Sequence, residues 1–203
     1  MGPEVLELEQ KLCEFTGAKH CISCGNGTDA LVLALKAYGL VEGDVVFVPA
    51  FTFSATAEAV VLAGGIPYFV DVDERSFNLC PKSLADGISD AAGQGYNLAG
   101  VIVVGLFGNP PSFDEITPVC EQNDLFLVDD AAQSLGSSYK GKMTGTLGDI
   151  TTTSFFPSKP LGCYGDGGAL FTDSADIAEL LESLRVHGKG KDKYDNVRIG
   201  TNS

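Results

Sequence analysis

The sequence predicts an α/β fold of three layers, a mostly parallel sheet between helices, and three observations carry that expectation. Short apolar runs alternate with amphipathic segments along nearly the whole chain, the rhythm of units that build layered sheets. Val101-Ile102-Val103-Val104 and Leu125-Phe126-Leu127-Val128 have no polar side of their own, as strands covered on both faces require. Residues with acid, base or hydroxyl chemistry cluster just after such runs, where the carboxyl ends of parallel strands gather ligand groups.

The elements follow in order. Residues 3–15 carry Val5, Leu6, Leu8, Leu12 and Phe15 among acids, an apolar stripe near the helical period that predicts a helix packed on the domain surface. A short strand at 21–23 runs into glycines that open a helix over 28–38. The apolar runs 45–48 and 67–70 read as strands, with helices at 54–62 and 81–91. Buried strands are expected at 101–104 and 125–128, separated by a helix over 112–122. Two more strands, 150–155 and 169–172, precede a closing helix over 175–186. No internal repeat, low-complexity stretch or linker interrupts this series, so residues 1–203 are expected to form one domain.

Composition bounds the partners. The 203 residues are 44% hydrophobic, enough for a sizeable core, and the formal net charge is −14. That charge argues against nucleic acid or an anionic membrane as partner, because both are held by clustered Lys and Arg. Arg185, Lys189, Lys191, Lys193 and Arg198 do make the C-terminal stretch locally cationic, although Asp192 and Asp195 dilute it. An anionic substrate or simple solvation explains those charges equally. No apolar run reaches the roughly 18 residues a membrane helix needs, and no signal-peptide pattern opens the sequence. With Cys13, Cys21, Cys24, Cys80, Cys120 and Cys163 scattered, a reducing cytoplasm is the expected compartment. Cys21-Ile22-Ser23-Cys24 has redox spacing but runs straight into a glycine loop, and with only His20 and His187 as histidines no zinc set is evident.

Lys159 is the most informative residue. It lies in the run Thr153-Ser154-Phe155-Phe156-Pro157-Ser158-Lys159-Pro160-Leu161-Gly162, where a strand-like stretch delivers one amine into a tight loop bounded by Pro and Gly. A lysine attacks carbonyls when its surroundings favour the free amine. Upstream, the strand ending at Val128 runs into Asp129-Asp130-Ala131-Ala132-Gln133, and Cys24-Gly25-Asn26-Gly27-Thr28-Asp29-Ala30 opens a helix. Amine, carboxylate and glycine-rich helix start match the needs of pyridoxal 5′-phosphate: an amine for its aldehyde, a carboxylate to keep its pyridine nitrogen protonated, and N–H donors for its phosphate. Either Asp129 or Asp130 satisfies the second need from composition alone. Gly25-x-Gly27-x-x-Ala30 also satisfies a dinucleotide fingerprint, the mark of an NAD-linked oxidoreductase, but the acid such a site needs has only Asp44 as candidate, and Asp44 precedes its strand.

Beyond these pieces, Pro49-Ala50-Phe51-Thr52-Phe53-Ser54-Ala55-Thr56-Ala57, Phe69-Val70-Asp71-Val72-Asp73, Leu106-Phe107-Gly108, Gly165-Asp166-Gly167-Gly168 and Gly200-Thr201-Asn202-Ser203 occur in order. With them the chain resembles the DegT/DnrJ/EryC1/StrS nucleotide-sugar aminotransferases, fold-type I enzymes that use pyridoxal 5′-phosphate. The resemblance implies that Lys159 carries the cofactor covalently, that Asp130 pairs with the pyridine nitrogen, that Gln133 lies beside the ring oxygen and that Phe53 stacks on the ring. It likewise implies Gly27, Thr28 and Ser154 as phosphate ligands, Asn202 reaching the partner's phosphate across a homodimer, and glutamate as amino donor. The motifs look closest to the branch acting on UDP-linked 3-oxo sugars for surface polysaccharide or cell-wall biosynthesis, although Gly105 and Cys80 depart from the histidine and aspartate common there. By the same resemblance the chain corresponds to a large domain, with a smaller C-terminal domain outside it. The rival reading within this frame is a catalytically silent cofactor-binding module. Family dehydratases carry histidine at the Schiff-base position, whereas Lys159 is present here, so transamination is expected.

Overall fold

A computed structural model describes residues 2–192 and 194–203. Helix α1 (Pro3–Thr16) leads into β1 (His20–Cys24) and α2 (Gly27–Ala37), then β2 (Asp44–Pro49), α3 (Ala55–Ala63), β3 (Ile66–Val70) and α4 (Pro81–Gly93). The chain continues through β4 (Asn97–Val104), a single 3-10 turn (Leu106–Gly108), α5 (Phe113–Gln122) and β5 (Phe126–Asp130). A small hairpin, β6 (Ser138–Tyr139) and β7 (Lys142–Met143), precedes β8 (Ile150–Ser154), β9 (Gly168–Thr172) and α6 (Ala175–Leu184).

Seven strands form one sheet in the order β1-β9-β8-β5-β4-β2-β3. The pairs β2/β3, β2/β4, β4/β5 and β5/β8 are parallel, whereas β9 runs antiparallel to both β8 and β1. Two reversals through β9 leave β1 running the same way as β8. The carboxyl ends of β1, β2, β4, β5 and β8 therefore lie along a single edge of the sheet, and the amino end of β9 joins them there.

Both faces of the sheet are covered, which makes the architecture three-layered as expected. One face packs Val46, Val48, Ile102, Val128 and Leu170 under α2, α3 and α6, through Leu31, Leu35, Val60 and Leu181. The other packs Phe47, Val101, Val103 and Leu127 under α4 and α5, through Leu84, Ile88 and Ile116. Helix α1 closes that second face at its far end, where Leu12 meets Cys21, Ala169 and Phe171.

Several boundaries differ from the sequence reading for identifiable reasons. Strand β4 starts at Asn97, not 101, because its entry residues pair with β2 although Asn97 and Gly100 are poor strand formers. Gly100 is required there: the ring of Phe126 on β5 stands 2.2 Å from where a Cβ would be. Strand β5 runs on to Asp130, so both aspartates lie within the strand and not beyond it. The hairpin β6–β7 was not anticipated, since two-residue strands leave no periodicity to read. On α1, Leu12 alone of the predicted stripe is buried, while Leu6, Leu8 and Phe15 remain exposed.

The cationic C-terminal stretch divides. Arg185 is buried, paired with Glu9 at 2.5 Å, and donates to the Ser23 carbonyl at 2.8 Å, so it braces α1, β1 and the end of α6 and is not open to an anionic substrate. Lys189, Lys191 and Arg198 stay at the surface, and Lys193 falls outside the described residues. Among the described residues no helix is long and apolar enough to cross a membrane.

Candidate active site

The strand ends converge on a cavity of about 590 Å³, and it is lined by Gly27, Thr28, Phe53, Asp130, Gln133, Ser154 and Lys159. Seven of the eight residues expected from the sequence thus share one site. They arrive by four routes: the β1 to α2 junction, the β2 to α3 loop, the end of β5 and the stretch after it, and the end of β8 with the loop to β9.

Backbone crowding fixes the cup at the start of α2. A Cβ on Gly27 would lie 2.6 Å from Ser154 Cβ, and one on Gly168 would lie 2.5 Å from the Asn26 carbonyl oxygen. Only glycine allows β8, β9 and the α2 entry to meet this closely. Asn26 caps the helix, its Oδ1 accepting from Asp29 N–H at 2.8 Å. The Gly27 and Thr28 N–H groups have no acceptor among the described residues, as the first turn of a helix leaves them. Unpaired donors, the positive end of the helix dipole and the Ser154 hydroxyl suit a phosphate.

Asp130 and Asp129 point to opposite faces of the sheet because side chains alternate along a strand. The cavity is lined by Asp130, and Asp129 faces the other layer. Of the two aspartates, Asp130 is the one on the cavity side. Its carboxylate accepts from Ala132 N–H at 3.1 Å, and the Thr56 hydroxyl and Lys159 lie close enough to act on its charge. Burial nevertheless raises its pKa, with those groups opposing the rise. Asp129 is fully buried with less support: Thr151 Oγ1 donates at 3.4 Å, and Oδ1 has no partner. Burial first, and the Asp130 charge second, push its pKa up to about 8. With a pKa near 8, Asp129 is mostly protonated at neutral pH and so adds little negative charge beside Asp130.

Lys159 sits in a pinned loop. Its N–H donates to the Phe156 carbonyl at 2.8 Å, Phe156 N–H donates to Ser154 Oγ at 3.2 Å, and Cys163 N–H returns to the Phe155 carbonyl at 2.8 Å. Gln133 Oε1 accepts from Phe107 N–H at 2.9 Å, which orients the amide so that its NH₂ remains free to donate. Phe53 is two-thirds exposed, its ring open to the cavity. An amine, a buried carboxylate, a donor-lined cup and an open aromatic face together fit pyridoxal 5′-phosphate.

Asn202 is the exception. It is exposed, its backbone bridges to Val186, and it lines a separate cavity of about 1110 Å³ with Lys189, Lys191 and Arg198. The sequence reading also passed over Asn26, Thr56 and Asp29. Asn26 was findable as an N-cap residue before a helical run, whereas nothing in sequence links Thr56 to Asp130.

The rival sites weaken. Asp44 opens β2 at the opposite edge of the sheet, where it accepts from Val41 N–H. Cys21 and Cys24 form no disulfide, and burial pushes both thiols up, away from the reactive thiolate. Among the described residues no group of three or more His, Cys, Asp and Glu could hold a metal.

The DegT/DnrJ/EryC1/StrS aminotransferase family model matches residues 1–203. The chain belongs to that family. It is 46% identical, over all of its length and 55% of the other protein's, to the UDP-2-acetamido-2-deoxy-3-oxo-D-glucuronate aminotransferase of Pseudomonas aeruginosa. The crystal structure of a family aminotransferase from Brucella abortus superposes with a TM-score of 0.98 at 49% identity, covering all of this chain and 54% of that one. NtdA from Bacillus subtilis, solved with bound cofactor PMP, gives 0.91 at 31% identity, covering all of this chain and 45% of that one. The chain spans about half the length of the curated relatives it matches.

A pH prediction follows from Asp129. Its folded pKa, about 8 against an ordinary 3.8, means the native state binds more protons between those values. Stability from this group is complete below the lower value and declines as pH rises through the window, by up to about 1.4 kcal/mol per pH unit. Asp129→Asn is expected to flatten that decline in urea denaturation series, and an unchanged slope contradicts a protonated Asp129.

Proposed function

We propose that this chain is the cofactor-binding large domain of a pyridoxal 5′-phosphate-dependent sugar aminotransferase acting in the cytoplasm. The observation that carries the reading is the convergence of Lys159, Asp130, Ser154 and the Gly27-Thr28 cup in one cavity. Glutamate is the proposed donor and a nucleotide-linked keto-sugar the acceptor, for surface polysaccharide or cell-wall biosynthesis. The 46% identity to a UDP-linked 3-oxo-glucuronate enzyme favours a UDP-linked 3-oxo sugar.

When bound, pyridoxal 5′-phosphate supplies an electron sink for the carbanion formed at the donor's Cα. The chain's residues do the rest. Lys159 Nζ would hold the cofactor covalently and, as a free amine, would serve as the base that moves the donor's Cα proton. Asp130 holds a proton at the pyridine nitrogen by charge pairing, and a neutral Asp129 behind it keeps that charge single. Gln133 donates to the ring oxygen, Phe53 packs on the ring face, and Gly27, Thr28 and Ser154 bind the phosphate. Two half-reactions, donor then keto-sugar, use the same lysine in opposite directions.

A homodimer belongs to this proposal. Asn202 is exposed and lines a cavity other than the one holding Lys159, which suits a residue that serves a second copy's phosphate.

Borohydride reduction of the protein incubated with pyridoxal 5′-phosphate, followed by peptide mapping, is expected to label Lys159. Label on Lys140 or Lys142, or on any other lysine, contradicts the assignment. Asp130→Asn is expected to keep the cofactor and lose orders of magnitude in proton abstraction, while Asp129→Asn does not. For the dimer, mixing Lys159→Ala with Asn202→Ala chains should yield hybrid dimers in which one site combines both defects and the other has neither. Cofactor retention that only averages the two parent homodimers excludes the shared site.

A further inference from the structure

The segment preceding Ser203 is tied to the rear of the cup. Thr201 N–H donates to the Leu184 carbonyl at 2.8 Å, and Ser203 N–H donates to the Arg185 carbonyl at 3.1 Å. Arg185 is itself locked to Glu9 and to the carbonyl of Ser23, two residues before Gly25. The C-terminal stretch and the loop entering α2 are therefore braced against one buried guanidinium.

From that brace the Ser203 hydroxyl makes two hydrogen bonds. It accepts from Gly25 N–H at 2.9 Å and donates to Asp29 Oδ2 at 2.6 Å. One donor and one acceptor are thus both used, on the two sides of the Asn26-Gly27-Thr28 turn. Asp29 is the third residue of α2, where a carboxylate in a capping box would reach back to the cap residue's N–H. Here Ser203 holds it instead. Asp29 also lines the cavity, so an unrestrained carboxylate there would set a negative charge against a bound phosphate.

We propose that Ser203 is a positioning residue of the phosphate cup: its hydroxyl couples Gly25 to Asp29, fixing the turn whose Gly27 and Thr28 N–H groups meet the phosphate and holding the Asp29 carboxylate aside. This rests on the cofactor reading above. It assigns to Ser203 a role within its own chain, distinct from the role of its neighbour Asn202, because successive residues of an extended segment face opposite ways.

The coupling acts on the phosphate and not on the aldehyde or ring, which makes it separable from general stability. Affinities of the full-length protein for pyridoxal 5′-phosphate and for pyridoxal, which lacks the phosphate, are compared in the wild type, Ser203→Ala and Ser203→Thr. Ser203→Ala is expected to bind pyridoxal 5′-phosphate about tenfold more weakly, the loss of one hydrogen bond to a charged group, with pyridoxal affinity unchanged. Ser203→Thr keeps the hydroxyl and is expected to keep the affinity. Equal losses for both aldehydes, no loss in Ser203→Ala, or a Ser203→Thr loss matching that of alanine overturns the proposal. If instead the wild-type protein gives no borohydride-stable adduct at Lys159, the cofactor reading itself falls, and this proposal with it.

Discussion

Everything about the site depends on the approach of α2's first turn to the end of β8. Gly27 stands where any side chain would strike Ser154, and Gly168 stands where any would strike the Asn26 carbonyl. Because β9 returns antiparallel between β8 and β1, it brings these two crowded points together at one edge of the sheet. The helix start then lies beside the strand end that leads to Lys159. Without that contact the donors of the cup and the amine would belong to separate surfaces.

Electrostatics builds on the same register. Asp130 pairs with Val104 on one side and Thr152 on the other, at the carboxyl ends of three parallel strands. Two adjacent buried carboxylates cannot both be charged cheaply, and the hydrogen bonds decide between them. Ala132 N–H and Thr56 support Asp130, while Asp129 keeps an oxygen with no partner. A protein with a formal charge of −14 thereby directs one carboxylate into a cavity that also holds a lysine and a helix N-terminus.

The sheet was legible in the sequence because most of its strands are buried on both faces and read as unbroken apolar runs, as β2 and β5 illustrate. The site was legible because its residues follow those runs directly, so that locating Val128 located Asp130, and locating the strand from 150 located Ser154 and Lys159. Long-range pairing was not legible. Asn97 and Gly100 enter β4 only because neighbouring strands accept them, and Arg185 reads as a surface charge until Glu9, far away in sequence, is brought against it. Ser203 and Thr56 were missed for the same reason: their partners are fixed by the fold and not by spacing.

The most direct test of the account is a crystal structure of the protein grown with pyridoxal 5′-phosphate. The account predicts the cofactor bonded to Lys159 Nζ, its pyridine nitrogen against the Asp130 carboxylate, and its phosphate at the Gly27 and Thr28 N–H groups and the Ser154 hydroxyl. A cofactor bound elsewhere, or one whose phosphate avoids the start of α2, would contradict it.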